Sequence, residues 1–371
     1  MKLTIERAAL LKSLGHVQSV VERRNTIPIL SNLKLDASDG RLALNATDMD
    51  LDIIESVDAD IAKPGATTAP AHTLYDIIRK LPEGSQVEMD GDGEGRLVLS
   101  SGRSRFTLTC LPTDDFPVLS GGDMKHEFNL APGELRALID KTRFAISTEE
   151  TRYYLNGIYL HAADQGGTAV LRAVATDGHR LARVDAPLPN GAAGMPGVIV
   201  PRKAIAELRK LVEETTDDIA IGLSESKIRF SFDGAVLTSK LIDGTFPDYT
   251  RVIPEGNDKT LEVDAKALAN AVDRVSAISS EKSRAVKLNL ESGNLTLSAS
   301  SPEDGTATEE MEVSYEGEAL EIGFNATYLL DIARQIEGAS ARLLLADAAS
   351  PTILTETDDA GALYVLMPMR V

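Results

Sequence analysis

Asp177-Gly178-His179-Arg180 is the segment whose residue types come nearest to acid–base chemistry. Asp and His two apart on an extended segment point the same way, as a base and its orienting partner must. No Ser or Cys stands nearby in a nucleophile elbow, and Asp-Gly is itself a common turn. A structured turn or a binding loop is therefore the competing reading. Asp90-Gly91-Asp92-Gly93-Glu94-Gly95 has the look of a calcium loop, but the closing carboxylate of an EF-hand would fall on Ser101. With strand-like flanks, it reads as an acidic hairpin tip. His16, His72, His126 and His161 lack metal-ligand spacing, and Cys110 stands alone, which excludes an internal disulfide and a Cys-rich metal site. No Gly-rich loop ending in Lys-Ser/Thr is present for phosphates. The sequence offers no active site, metal site or cofactor site.

The elements around these residues repeat. Leu3-Thr4-Ile5 alternates as a strand, and Leu10, Leu14, Val17 and Val21 follow at helical spacing. Phe128 and Leu130 followed by Leu135, Ile139, Thr142 and Ile146 form a second copy, and Leu261 and Val263 followed by Leu268, Val272 and Val275 a third. By subtraction, Ile5 to Leu130 is 125 residues and Leu130 to Val263 is 133. A second helix starts mid-unit each time, after Pro70, Pro201 and Asn325. Hairpins are predicted around Ser38-Asp39-Gly40, Ser101-Gly102 and Ser292-Gly293-Asn294. Strands clustered between single helices indicate antiparallel α+β architecture. Candidate linkers at 119–123 and 253–258 divide the chain into three tandem domains, residues 1–122, 123–254 and 255–371.

The 371 residues carry a net charge of −19, with no apolar run long enough for a signal-peptide core or a membrane span. A soluble cytoplasmic protein without a membrane partner is expected. Helices predicted over 6–24, 71–81, 132–152, 201–214, 264–284 and 325–338 total +4, which leaves −23 elsewhere. The plain reading is that strands and hairpin tips hold more acid. The sharper one is a helical face that tolerates phosphate. The basic clusters, Arg23-Arg24, Arg152-Tyr153-Tyr154, Arg202-Lys203 and Arg209-Lys210, are too sparse for tight sequence-specific DNA binding. The tail Leu363-Tyr364-Val365-Leu366-Met367-Pro368-Met369-Arg370-Val371 reads as a final core strand that Pro368 interrupts, leaving Met367 and Met369 near a surface.

Several segments carry a family resemblance: Ile27-Pro28-Ile29-Leu30-Ser31-Asn32-Leu33, Arg103-Ser104-Arg105-Phe106, Arg152-Tyr153-Tyr154-Leu155-Asn156-Gly157 and Ala175-Thr176-Asp177-Gly178-His179-Arg180-Leu181. Val200-Pro201-Arg202-Lys203, Phe246-Pro247-Asp248-Tyr249 and Tyr364 to Arg370 complete the set. Over essentially its whole length the chain resembles the bacterial sliding clamps, the β subunits of DNA polymerase III holoenzyme. The resemblance implies a non-catalytic processivity factor. Its three domains would have sheets outside and two helices each lining a ring, closed by head-to-tail homodimerisation around duplex DNA.

The implied partners are duplex DNA read without sequence preference, the replicative polymerase catalytic subunit, the clamp-loader complex and other proteins bearing a clamp-binding motif. Matching positions assign DNA contacts to Arg24, His72, Tyr153, Tyr154, Arg202 and Lys203. The partner-peptide groove falls on Leu155, Thr176, Gly178, His179, Arg180, Leu181, Pro247, Arg251, Val252, Val365, Leu366, Met367, Pro368, Met369 and Arg370. The dimer interface falls on Arg103, Arg105, Phe106, Ala277 and Ile278. The rival reading is an inert scaffold that binds partner peptides without encircling DNA.

Overall fold

The computed structural model describes residues 1–91, 93, 95–119, 122–279, 284–357 and 361–370. Asp92 and Glu94 of the acidic tip, Ser120 and Gly121 of the first linker, residues 280–283 of the fifth predicted helix and Val371 lie outside that set. The helices are α1 (Arg7–Val17), α2 (Ala71–Lys80), α3 (Pro132–Asp140), α4 (Arg202–Glu213), α5 (Ala265–Ser276) and α6 (Ala326–Ala333). Three begin on a side-chain cap: Glu6 accepts from the Ala9 N–H, Asp264 from Ala267 and Asn325 from Tyr328.

Helices α1, α3 and α5 stop well short of the predicted 24, 152 and 284. The apolar period continues past their ends, but the backbone leaves the α-helix through three-residue turns. Val20 donates to Val17 O, Ala145 to Thr142 O and Ile278 to Val275 O. Val20 and Ala145 are buried all the same, so burial persists where the helix does not. Over the shorter observed helices the formal charge is still +4, leaving −23 from the total of −19.

The chain forms two compact units: Met1–Arg136 with Pro189–Met195 and Lys203–Leu241, and Ala137–Leu188 with Pro196–Arg202 and Ile242–Val371. The first holds a five-stranded and an eight-stranded antiparallel sheet, the second a nine-stranded and a four-stranded one. The predicted hairpin at residue 39 joins Asn32–Ser38 to Arg41–Thr47, with Asp39 at φ 49° and Gly40 at φ 75°. Positive φ at both central positions is the turn that matches strand twist.

The large sheets explain why three sequence repeats give two units. In the first unit, strand Leu51–Asp58 pairs with Ala235–Lys240 of the following repeat. In the second, Arg180–Pro187 pairs with Ala362–Leu366. Each time the third long strand of one repeat joins the last strand of the next, so the sheet runs on across the repeat boundary. Leu10, Leu14 and Val17 of α1 and Leu208, Leu211 and Val212 of α4 are buried. At roughly 1.5–3 kcal/mol per fully buried aliphatic side chain, these faces are strong sources of stability.

Candidate functional site

In the second unit, the turn joining strands Thr168–Thr176 and Arg180–Pro187 is built by its own side chains. Thr176 Oγ1 donates to Arg180 O at 2.7 Å and accepts from Gly178 N at 3.1 Å. Asp177 Oδ1 accepts from His179 N at 2.9 Å and Arg180 N at 3.0 Å, while its Oδ2 accepts from Arg180 Nε at 3.1 Å. Short polar side chains that bond to nearby backbone make such turns. Gly178 has a φ of +89°, a conformation that favours glycine, and a Cβ there would lie 2.6 Å from Nη1 at the far end of the Arg152 side chain. The acid–base reading of Asp177 with His179 fails on this geometry. Asp177 is committed to backbone N–H groups and to Arg180, while the His179 ring stacks on Tyr328 with centroids 6.1 Å apart.

Arg180 is fixed on every side. Its Nη1 meets Asp331 at 2.5 Å, its Nη2 donates to Phe144 O at 2.7 Å, and its guanidinium lies 4.4 Å from the Tyr328 ring centroid. Beside it lies an apolar cluster of Leu155, Val174, Leu181, Ile199, Phe246, Tyr249 and Val365, with Tyr154, Tyr159 and Ile253 packed against it. Pro247, Arg251 and Val252 follow on an exposed stretch, where Asp248 caps Thr250 and pairs with Arg251 at 2.9 Å. The Thr250 hydroxyl lowers the Asp248 pKa.

The tail forms another border. Pro368 ends the last strand at Leu366, as its missing N–H requires. Met367 N donates to His179 O at 2.9 Å, and Met369 N to Gly323 O at 2.9 Å. Val365 and Leu366 are buried, Met367 is 42% exposed and Val252 49%. Arg370 is exposed. The fifteen candidate groove residues thus all fall in one unit, on the turn, the apolar cluster, the 247–252 stretch and the tail. An apolar floor with exposed apolar rims suits the side chains of a bound segment.

A buried network behind the floor was not anticipated from sequence. Arg172 forms a bidentate pair with Asp185 at 2.6 and 2.7 Å, which holds the guanidinium charged. It also donates to Tyr249 at 3.3 Å, whose hydroxyl lies 3.0 Å from His161 Nε2. Burial lowers the His161 pKa. The Tyr159 ring stacks on Phe246 at 4.8 Å and 6°. Arg172 and Asp185 face each other across two strands, and only the strand register brings them together.

Family models for the N-terminal, central and C-terminal domains of the DNA polymerase III beta subunit match residues 1–120, 129–248 and 250–370. The chain belongs to the beta sliding clamp family. A beta sliding clamp of Caulobacter vibrioides is 58% identical over 372 residues, covering both chains fully, and that of Escherichia coli K12 is 39% identical over 372 residues with the same coverage. A solved sliding clamp of Bartonella birtlesii, bound to griselimycin, superposes with a TM-score of 0.97 at 52% identity, covering 100% of each chain. Three tandem clamp domains of α+β type are thereby established.

The candidate DNA-facing positions of this clamp differ in their surroundings. Arg24 and Arg202 are exposed, and Tyr153 is 53% exposed, edge-on to the half-buried Tyr154 at 5.8 Å. His72 is tied down on both ring nitrogens, 2.9 Å from Gln18 Oε1 and 2.9 Å from Val21 O. Lys203 Nζ lies 2.5 Å from Asp48 and 3.4 Å from Glu22. Both bonding patterns are internal, and Asp48 had carried no assignment in the sequence. Glu149 likewise forms a bidentate pair with Arg152, at 2.6 and 2.8 Å, which lowers the Glu149 pKa.

Of the candidate interface positions of the clamp, Arg105 and Phe106 lie on an open sheet edge with Arg103 just before it, while Ala277 and Ile278 follow α5. Strand Ser104–Thr109 ends the five-stranded sheet and Gly305–Glu312 ends the four-stranded one. Arg103 and Arg105 are exposed and carry no ion pair among the described residues; Phe106 is half-buried. Past α5, Ala277 is exposed and Ile278 half-buried. Among the described residues no cluster of His, Cys, Asp and Glu could hold a metal ion, and no helix is long and apolar enough to cross a membrane.

Proposed function

We propose that this clamp closes head to tail with a second copy around duplex DNA and tethers the replicative polymerase and other partners through the groove beside Leu181. The observation that carries the ring is the repeat's own pairing rule. The third long strand of one repeat pairs with the last strand of the next at both internal junctions, Ile53 opposite Leu237 and Ala182 opposite Tyr364. The third long strand of the last repeat, Gly305–Glu312, and the last strand of the first, Ser104–Thr109, remain at sheet edges. Long unpaired edges are otherwise a liability.

The repeat also supplies the register. Phe106 occupies the place of Leu237 and Tyr364, and Ala307 that of Ile53 and Ala182, so Phe106 falls opposite Ala307 of the partner copy. Arg103 then faces Glu310, and Arg105 faces Thr308 with Glu310 on the diagonal. Glu309 is held by Arg274 and is not needed. Ile278 stands 13 residues into its helix segment, as do Val20 and Ala145, both fully buried. A seam that covers Ile278 would make the three repeats alike.

On this reading the three domains span 1–122, 123–254 and 255–371, and the chain catalyses no reaction of its own. It works in the cytoplasm with the polymerase, the clamp loader and other clamp-binding proteins. Arg24, Arg202 and the exposed edge of Tyr153 supply few, sequence-blind phosphate contacts, which lets a ring slide. Tethering keeps the polymerase at high effective concentration on its template.

Native mass measurement of charge-reversal variants tests the seam. Arg103→Glu and Glu310→Arg should each weaken dimerisation, by about 1–2 kcal/mol over two seams. The double variant should restore it. Singles that dimerise normally, or a double variant that stays monomeric, would overturn the register; a monomeric parent chain would favour the non-encircling scaffold.

A further inference from the structure

The groove turn has a twin in the first unit. Thr47 Oγ1 donates to Leu51 O at 3.0 Å and accepts from Met49 N at 3.1 Å. Asp48 Oδ1 accepts from Asp50 N at 2.9 Å and Leu51 N at 2.7 Å. Lys240 N donates to Asp50 O at 2.8 Å, as Met367 N does to His179 O. Met49 takes the place of Gly178 and keeps a positive φ of 76°, a costly conformation for a side-chain-bearing residue.

The floor beneath this twin is polar. Asp52 lies opposite Thr238 as Leu181 lies opposite Val365. Asn45 stands for Val174 and Thr68 for Ile199, while Leu30 and Phe116 repeat Leu155 and Phe246 and pack together. Thr68 is satisfied by Asn32 and Leu111. Asp52 Oδ1 and Asn45 Oδ1 are buried with no hydrogen-bond partner, and Asp52 as a whole is 5% exposed. A buried acceptor left unpaired costs about 1–3 kcal/mol. Burial pushes the Asp52 carboxyl up to about 7 against a hydrogen bond from the Asn45 side chain that lowers it, with Asp48 adding to the rise, so the unpartnered atoms are the two Oδ1 oxygens and not the whole side chains. The positions that correspond by the repeat to Arg152, Gly178 and Asp248 are apolar: Ile27 and Met49 are each 44% exposed and Val118 78%. Among the described residues of the first unit the other large exposed apolar side chain is Ile54, two residues from Asp52 on the same strand face.

We propose that this turn, its floor and the three apolar positions form a second peptide-binding site on each chain, which takes an extended partner segment presenting an arginine beside apolar residues. The guanidinium supplies donors to Asp52 Oδ1 and Asn45 Oδ1, while the flanking apolar side chains cover Ile27, Met49 and Val118. Asp48 and Asp50 are already paired, with Lys203 and Lys240, so Asp52 is the carboxylate left for an incoming cation. The proposal borrows the groove's turn geometry but requires no occupant in that groove.

Methyl NMR of the full-length protein, labelled at Ile, Val and Met, tests it with the probe acetyl-Leu-Arg-Leu-Phe-amide. Saturable shifts are expected at Ile27, Met49 and Val118, and about tenfold or weaker binding when norleucine replaces the peptide's Arg or in Asp52→Asn. Met49→Ser, at the exposed turn position, should also weaken binding several-fold without touching the core. Shifts at Val252 and Met367 report the other groove in the same spectra, so failure at one site is told apart from failure at the other. No saturable shift at the first three residues, as when waters alone fill the two acceptors, would overturn the proposal. Equal affinity for the two peptides, or binding undiminished in Asp52→Asn, would do the same.

Discussion

Asp177→Ala isolates what the groove turn contributes. The substitution removes the acceptor for His179 N at 2.9 Å, Arg180 N at 3.0 Å and Arg180 Nε at 3.1 Å, while Arg180 keeps Asp331 and Phe144 O. Bonds to a charged acceptor are each worth roughly 1.5–3 kcal/mol, and the Asp177 side chain is 16% exposed, so water replaces part of that. The turn should lose about 2–4 kcal/mol of local order. Because the His179 carbonyl also accepts from Met367 N, the loss reaches the tail border of the groove. Affinity for a labelled polymerase-tail peptide, read by fluorescence anisotropy, should fall roughly 10–100-fold. Asp48→Ala likewise removes two backbone acceptors and one ion pair, with Lys203, in the twin turn and should leave that affinity within about twofold. Full affinity in Asp177→Ala, or equal losses in both variants, would refute the reasoning.

Ile278→Asp would place a charge in the seam, and native mass should then show monomers; a persistent dimer would mean the seam lies elsewhere. Deleting Met367 to Val371 should abolish tail-peptide binding while the dimer survives, and undiminished binding in the same anisotropy assay would exclude the groove assignment. His16 lies 2.8 Å from Glu55 and 3.6 Å from Glu214, and the Glu55 hydrogen bond raises its pKa above 6.5. The stabilisation is full below pH 6.5 and fades as pH rises through the raised value. His16→Gln should flatten the fall in melting temperature between pH 6 and 9, and parallel curves would sink the assignment.

Local pattern was legible in the sequence wherever a residue acts on its neighbours. The helix starts at Pro70, Pro201 and Asn325, the Asp39-Gly40 hairpin and the Pro368 stop all follow from backbone chemistry within a few residues. Helix ends were not legible, because Val20 and Ala145 extend the apolar period while lying in turns. The sheets that run across repeat boundaries join residues as distant as Glu55 and Ala235, and no local period encodes such a pairing. The Asp-Gly-His segment shows the same limit at the site. Its residue types fit either a base or a turn, and only the direction of the Asp177 oxygens separates the two. The family resemblance supplied the candidate groove positions, whereas Tyr328 and Asp331 against Arg180, and Arg172 against Tyr249, came from tertiary contacts.

The charge split carries a further physical meaning. The six helices among the described residues sum to +4 and the rest of the chain to −23, so on the proposed ring reading a duplex would meet the less acidic elements in the hole. The topological claim at the centre of this account is tested most directly by loading the protein onto nicked circular DNA with a clamp loader, then cutting the circle. Retention on the circle in moderate salt, followed by release on linearisation, is the predicted result. Equal retention on circular and linear DNA would contradict a ring that encircles its substrate.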